Sequence, residues 1–178
     1  MRPDTQTGFF LIVLFMNKYS VLFVCTGNIC RSPTADGVLL AMAADAGLGD
    51  RLVVDSAGTQ GYHVGEAPDR RAQAHAKKRG YDLSGLRARQ VAASDYARFD
   101  LILAMDAGHL RQLERQAPSQ HQAKIKLFLD FATGTREREV PDPYYGGADG
   151  FEHVLDLVED GCAGLLAHVR SELARRGA

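Results

Sequence analysis

No apolar run in this 178-residue chain approaches the roughly 20 residues that a bilayer-spanning helix needs. The longest, Phe9-Phe10-Leu11-Ile12-Val13-Leu14-Phe15-Met16, stops far short. As a signal peptide it has only Arg2 for a basic region and no small-x-small cleavage site after it. A membrane anchor is therefore not expected. Cysteine is scarce: Cys25, Cys30 and Cys162 show no paired spacing, which argues against a disulfide framework and suits a reducing cytoplasm. No Cys-x-x-Cys or His-x-x-x-His companion is present, so no metal site is expected. Excess charge is lacking too. A net charge of -1 supplies no basic field for nucleic acid or a membrane surface. Internal repeats and linkers are absent, and 46% apolar with 24% charged residues suits one globular domain.

What is present is a concentrated signal near the start. Val21-Leu22-Phe23-Val24 reads as a short buried strand. The loop Cys25-Thr26-Gly27-Asn28-Ile29-Cys30-Arg31 follows, and then Ser32-Pro33, which reads as a helix start with Ser32 as N-cap and Pro33 at the first helical position. A strand passing through a tight loop into a helix N-terminus points backbone amides and the positive helix end at one spot, where an anion binds. The residues between Cys25 and Arg31 are enough for the chain to curl around a tetrahedral oxyanion. Arg31 can fork onto two of its oxygens. A thiol in that field is expected to ionise readily and to act as a nucleophile.

The rest of the chain alternates strands with helices. Leu52 to Ser56, Asp100 to Met105 and Lys124 to Leu129 read as further strands. Helical stretches are expected from Pro33 to Gly47, from Pro68-Asp69-Arg70 to Gly80, over Asp95 to Phe99, from Asp106 to Gln116, and from Phe151 onward. The last carries one apolar stripe: Val154, Leu155, Val158, Cys162, Leu165, Leu166, Val169 and Leu173. The expected fold is α/β, a single domain with a four-stranded parallel sheet covered by helices on both faces. Its phosphate loop lies between the first strand and the first helix. Ligands of such sheets bind at the carboxyl ends of the strands, which brings Ser56 and Met105-Asp106 near Cys25.

The run Val-Leu-Phe-Val-Cys-Thr-Gly-Asn-Ile-Cys-Arg-Ser-Pro resembles the phosphate loop of the low-molecular-weight protein tyrosine phosphatases. Asp142-Pro143-Tyr144-Tyr145-Gly146-Gly147 resembles that family's acid loop, and the likeness spans roughly residues 19 to 173. It implies hydrolysis of phosphotyrosine in proteins, and of small aryl phosphates, through a cysteinyl-phosphate. Cys25 would be the nucleophile, Arg31 the anion clamp and Asp142 the acid for the leaving oxygen. Thr26, Gly27, Asn28, Ile29, Cys30 and Ser32 would bind phosphate or support the loop, with Ser32 combining its cap role with a hydrogen bond to the Cys25 sulfur. Ile29, Tyr62, Tyr144 and Tyr145 would wall a slot for a flat ring. Family members often carry a His where Leu86 stands here, and Ser56 is the remaining candidate to brace Asn28. The likeness also implies a redox role for Cys30, trapping an oxidised Cys25 as a disulfide. No cofactor is implied. Expected partners are phosphotyrosine proteins, with inorganic phosphate, sulfate or vanadate as site ligands. Residues 1–17 read as an extension upstream of a natural start at Met16, leaving 18–178 as the phosphatase domain.

Two rivals follow from the same residues. Arsenate reduction on this fold needs two further cysteines on a mobile segment, and only Cys162 lies downstream. A non-catalytic phosphate-binding module would lack either Cys25 or Asp142.

Overall fold

The computed structural model describes residues 18–177; the apolar run 9–16 and the assigned extension lie outside the described residues. The strands are β1 (Tyr19–Cys25), β2 (Leu52–Gly58), β3 (Leu101–Ala104) and β4 (Ile125–Leu127). The helices are α1 (Arg31–Asp45), α2 (Arg70–Lys78), the short α3 (Asp95–Arg98), α4 (Ala107–Gln116) and α5 (Ala148–Arg176). All neighbouring strands pair in parallel, in the order β2-β1-β3-β4.

The continuous apolar run of β1 follows from this position. Successive side chains point to opposite faces, and a central parallel strand is covered on both. Val21 and Phe23 enter a core with Val38 and Leu39 of α1 and Val154, Val158 and Leu165 of α5. Leu22 and Val24 enter a second core with Tyr96 of α3, Phe99 and Leu113 of α4. From β1 the chain passes to β2 on one side and then crosses to β3 on the other. The carboxyl end of β1 therefore sits where the winding reverses, the crevice in which open sheets bind ligands.

Local signals end the elements where expected. Gly47 adopts φ +72° just past α1, and Gly80 adopts φ +89° after α2, conformations that cost glycine nothing. The apolar stripe of α5 is buried except at half-buried Leu166. That helix starts at Ala148 rather than at Phe151, because Ala148-Asp149-Gly150 carry no apolar signal but complete its first turn. Strand β4 is shorter than expected: Phe128–Phe131 turn into a 3-10 helix that sets Phe128 edge-on against Phe23, ring centroids 5.1 Å apart. Among the described residues no helix is long and apolar enough to cross a membrane.

Candidate active site

At the end of β1 the backbone curls through residues 26–30 and enters α1 at Arg31. Asn28, with φ +56°, is the one non-glycine residue at positive φ among those described. Asparagine tolerates this left-handed conformation better than most side chains. Its buried side chain is held at both ends: Oδ1 accepts from the Arg89 backbone N–H at 3.0 Å, and Nδ2 donates to Ser32 Oγ at 2.8 Å. Arg89 is fixed in turn by Asp55 and Asp95, each accepting from its guanidinium at 2.9 Å.

Two expectations need correction here. Ser32 is not the N-cap: α1 begins two residues earlier than expected, with Cys30 in the cap position and no side-chain cap. The other half of the expectation holds: the Ser32 hydroxyl is turned inward, 3.0 Å from Cys25 Sγ and 3.5 Å from the Ala57 carbonyl. The first amides of α1 thus keep no side-chain acceptor and face the loop. Nor does Ser56 brace Asn28. Its hydroxyl faces the carboxyl of Asp36, whose titration burial pushes up to about 7. The backbone amide of Arg89 supplies the brace, and Leu86 packs half-buried against the core.

Arg31 is buried, with 6% of its side chain exposed. Nη1 donates to Asp106 Oδ2 at 2.9 Å and to the Val140 carbonyl at 3.1 Å, and Nη2 lies 3.6 Å from Asp142 Oδ2. The guanidinium is thereby aimed across the mouth of the loop. Asp106 lies just past β3 and also caps α4 by accepting from the His109 N–H at 2.9 Å. These bonds hold its carboxyl below the usual range despite its burial. His109 Nε2 lies 2.7 Å from Thr26 Oγ1, and Nδ1 is 3.2 Å from Asp106 Oδ1 but misaligned for a hydrogen bond. Burial pushes the imidazole down to about 4, so it is neutral at ordinary pH.

Asp142 stands between Pro141 and Pro143, half-exposed, its Oδ1 accepting from the Tyr144 N–H at 3.0 Å. The adjoining prolines restrict the backbone on either side. Cys25, Thr26, Gly27, Ile29, Cys30, Arg31, Asp142 and the rings of Tyr62, Tyr144 and Tyr145 line one cleft of about 250 Å³. Tyr144 and Tyr145 meet edge to face, centroids 4.9 Å apart. The structure therefore brings Cys25, Arg31, Asp142, Ile29, Tyr62, Tyr144 and Tyr145, all picked from the sequence, to one cleft.

Asp106 as a partner of Arg31, His109 beneath Thr26, and His63 on the cleft wall are additions. Asp106 was expected near Cys25 from its place at the end of a strand, but its bond to Arg31 was not. Close packing also shapes the loop: a Cβ on Gly58 would stand 2.6 Å from the Thr26 carbonyl oxygen. Among the described residues no group of three or more His, Cys, Asp or Glu is placed to hold a metal ion.

Residues 20–175 match the model of the low molecular weight phosphotyrosine protein phosphatase family. A protein of Synechocystis sp. is 53% identical over 154 residues, which cover 86% of this chain and 98% of that one. A low molecular weight protein-tyrosine-phosphatase of Streptomyces coelicolor is 50% identical over 163 residues, covering 90% of this chain and 99% of its own. The crystal structure of a protein tyrosine phosphatase from Entamoeba histolytica, with Hepes in its active site, is similar at a TM-score of 0.85 and 41% identity. It covers 87% of this chain and 99% of that one.

Proposed function

The chain belongs to the low molecular weight phosphotyrosine protein phosphatase family, and from that premise we propose that Cys25, Arg31 and Asp142 divide the work of its hydrolase reaction. The substrate is a phosphotyrosine side chain of a protein, or a small aryl phosphate. The carrying observation is that Cys25, the Arg31 guanidinium and the Asp142 carboxyl line one cleft walled by tyrosines.

The Cys25 thiolate attacks phosphorus in line. An S–P bond forms as the bond to the phenolic oxygen breaks, and Asp142 gives that oxygen a proton. Arg31 and the loop amides, at the start of α1, hold the equatorial oxygens as their charge grows. Water, its proton taken by the Asp142 carboxylate, then breaks the S–P bond and releases inorganic phosphate and the thiolate. Ser32 supports both stages, because its hydroxyl can donate to the sulfur as it becomes an anion. Phosphate, sulfate and vanadate present the tetrahedral or trigonal oxyanion this site is shaped for. The Hepes bound by the Entamoeba protein carries a sulfonate of the same kind. We assign the activity to residues 18–178 and place it in a reducing cytoplasm, where the three free thiols persist.

The test is a comparison of two reactions on one preparation. Phosphate release from a phosphotyrosine peptide, blocked by vanadate, is the expected result; thioredoxin-coupled arsenate reduction without phosphate release would reverse the assignment. Cys162 speaks against that rival. It is fully buried, its thiol held well up by burial, with Sγ 3.7 Å from the Ala35 carbonyl under α1.

Cys30 remains our candidate for protecting Cys25 from peroxide. It is buried near Cys25, and burial, with Asp69 and Cys25 nearby, pushes its thiol up to about 12. Peroxide converts the Cys25 thiolate to a sulfenic acid; the Cys30 sulfur displaces water from it, and the disulfide that forms is reducible. Only the thiolate attacks, so closure should quicken as pH rises toward that value. Wild-type protein treated with peroxide should regain activity in dithiothreitol, and better when exposed at higher pH. Cys30→Ser should regain much less. Equal recovery of the two proteins would remove Cys30 from this role.

A further inference from the structure

Arg71, in the first turn of α2, lies outside both the phosphate loop and the acid loop but reaches the first through Asp69 and touches the second directly. Its Nε and Nη2 fork onto the Asp69 carboxylate at 3.1 and 2.9 Å. Asp69 caps α2, accepting from the Arg71 N–H at 2.8 Å, and its own N–H donates to the Ile29 carbonyl of the phosphate loop at 2.8 Å. On its other side, Arg71 Nη1 donates to the Tyr144 carbonyl at 3.0 Å. The guanidinium also lies over two rings, 5.3 Å from the Tyr144 centroid and 4.9 Å from that of Phe151 at the start of α5.

The acid loop is sparsely hydrogen-bonded to the rest of the protein. Among the described residues, the Arg71 bond to Tyr144 is the one hydrogen bond that reaches residues 141–146 from another element. The remaining bonds there are local: Tyr144 N–H to Asp142, and Gly146 N–H to the Pro143 carbonyl. Arg31 faces Asp142 at 3.6 Å but makes no hydrogen bond to it. Packing holds the segment at Pro143, which is buried against Gly150 of α5, but Asp142, Tyr144 and Tyr145 on either side of it are exposed.

We propose that Arg71 is a positioning residue for the proton-donating step: by gripping the carbonyl and ring of Tyr144 it fixes the turn that aims the Asp142 carboxyl. This rests on Asp142 being the acid. The bland alternative is an exposed Arg–Asp pair at a helix start, worth little to anything. The two differ in what a leaving-group series reads. A residue that acts through the acid matters only where the leaving oxygen needs a proton, and a helix-end pair matters equally for every ester.

The experiment measures kcat/KM, which reports events through cleavage of the ester bond, for dinitrophenyl, nitrophenyl and phenyl phosphate. The proteins are wild type, Arg71→Ala, Arg71→Lys, Asp142→Asn and the double variant, each with its melting temperature. Arg71→Ala should lose about ten- to a hundredfold on phenyl phosphate, the scale of an ångström's misplacement of a reacting group. On dinitrophenyl phosphate it should change little. Arg71→Lys keeps a cation over the rings without the fork and should fall between. The double variant should be no worse on phenyl phosphate than Asp142→Asn alone, since the two losses share one route. A uniform loss or a uniform rise in KM for Arg71→Ala, or full additivity in the double variant, would overturn the inference while leaving Asp142 in place. An Asp142→Asn protein with no leaving-group preference would overturn the acid assignment and this inference with it.

Discussion

A Cys25→Ser protein should bind vanadate and phosphate and turn over nothing. The anion site consists of loop amides, the start of α1 and the Arg31 guanidinium, none of which the substitution touches. What is lost is the sulfur anion. A serine hydroxyl at the same place has only neutral Ser32 Oγ beside it, where Sγ now lies at 3.0 Å, and no base to take its proton. The expected loss is on the order of 10⁴-fold or more, the scale seen when a covalent nucleophile is removed. Calorimetric titration with phosphate checks the retained site. Appreciable turnover by protein shown by mass spectrometry to be free of wild type would take Cys25 out of the role. Arg31→Lys should approach the same loss for a different reason. An ammonium cannot reach Asp106 Oδ2 and the Val140 carbonyl while forking onto an oxyanion.

The second large effect is expected at Asp142. Asp142→Asn keeps the shape of the turn, because an amide oxygen can still accept from the Tyr144 N–H. It cannot give up a proton as a carboxylic acid does. The loss in kcat/KM should be about 10²- to 10⁴-fold for phenyl phosphate, the usual worth of general acid catalysis, and should shrink steeply toward dinitrophenyl phosphate. A loss of the same size across the series would make Asp142 a structural residue of its proline-flanked turn.

The residues that sequence could identify are those with local signals. The strand run before Cys25, the loop to Arg31, the helix starts at Pro68-Asp69-Arg70 and Asp106, and the proline-flanked Asp142 are each contained in a few neighbouring positions. What sequence left open are pairings between distant segments. Arg31 meets Asp106, Thr26 meets His109, and Arg71 meets Tyr144 across the chain's winding, and no periodicity or spacing carries such contacts. Ser32 shows how a local rule is overridden. Ser-Pro is a sound N-cap signal, but the sulfur of Cys25 and the amide of Asn28 claim the hydroxyl first. At Leu86, a brace expected from a side chain is supplied by the Arg89 backbone amide, which no reading of residue types reveals.

The central claim is a phosphoryl group carried on Cys25. Wild-type protein mixed with a phosphotyrosine peptide, quenched in acid during turnover and digested, should yield a peptide spanning residue 25 with one phosphoryl group on the cysteine sulfur. That species should be absent before substrate is added and gone after it is exhausted. Steady release of phosphate with no such peptide at any quench time, or with the group on another residue, would contradict the account.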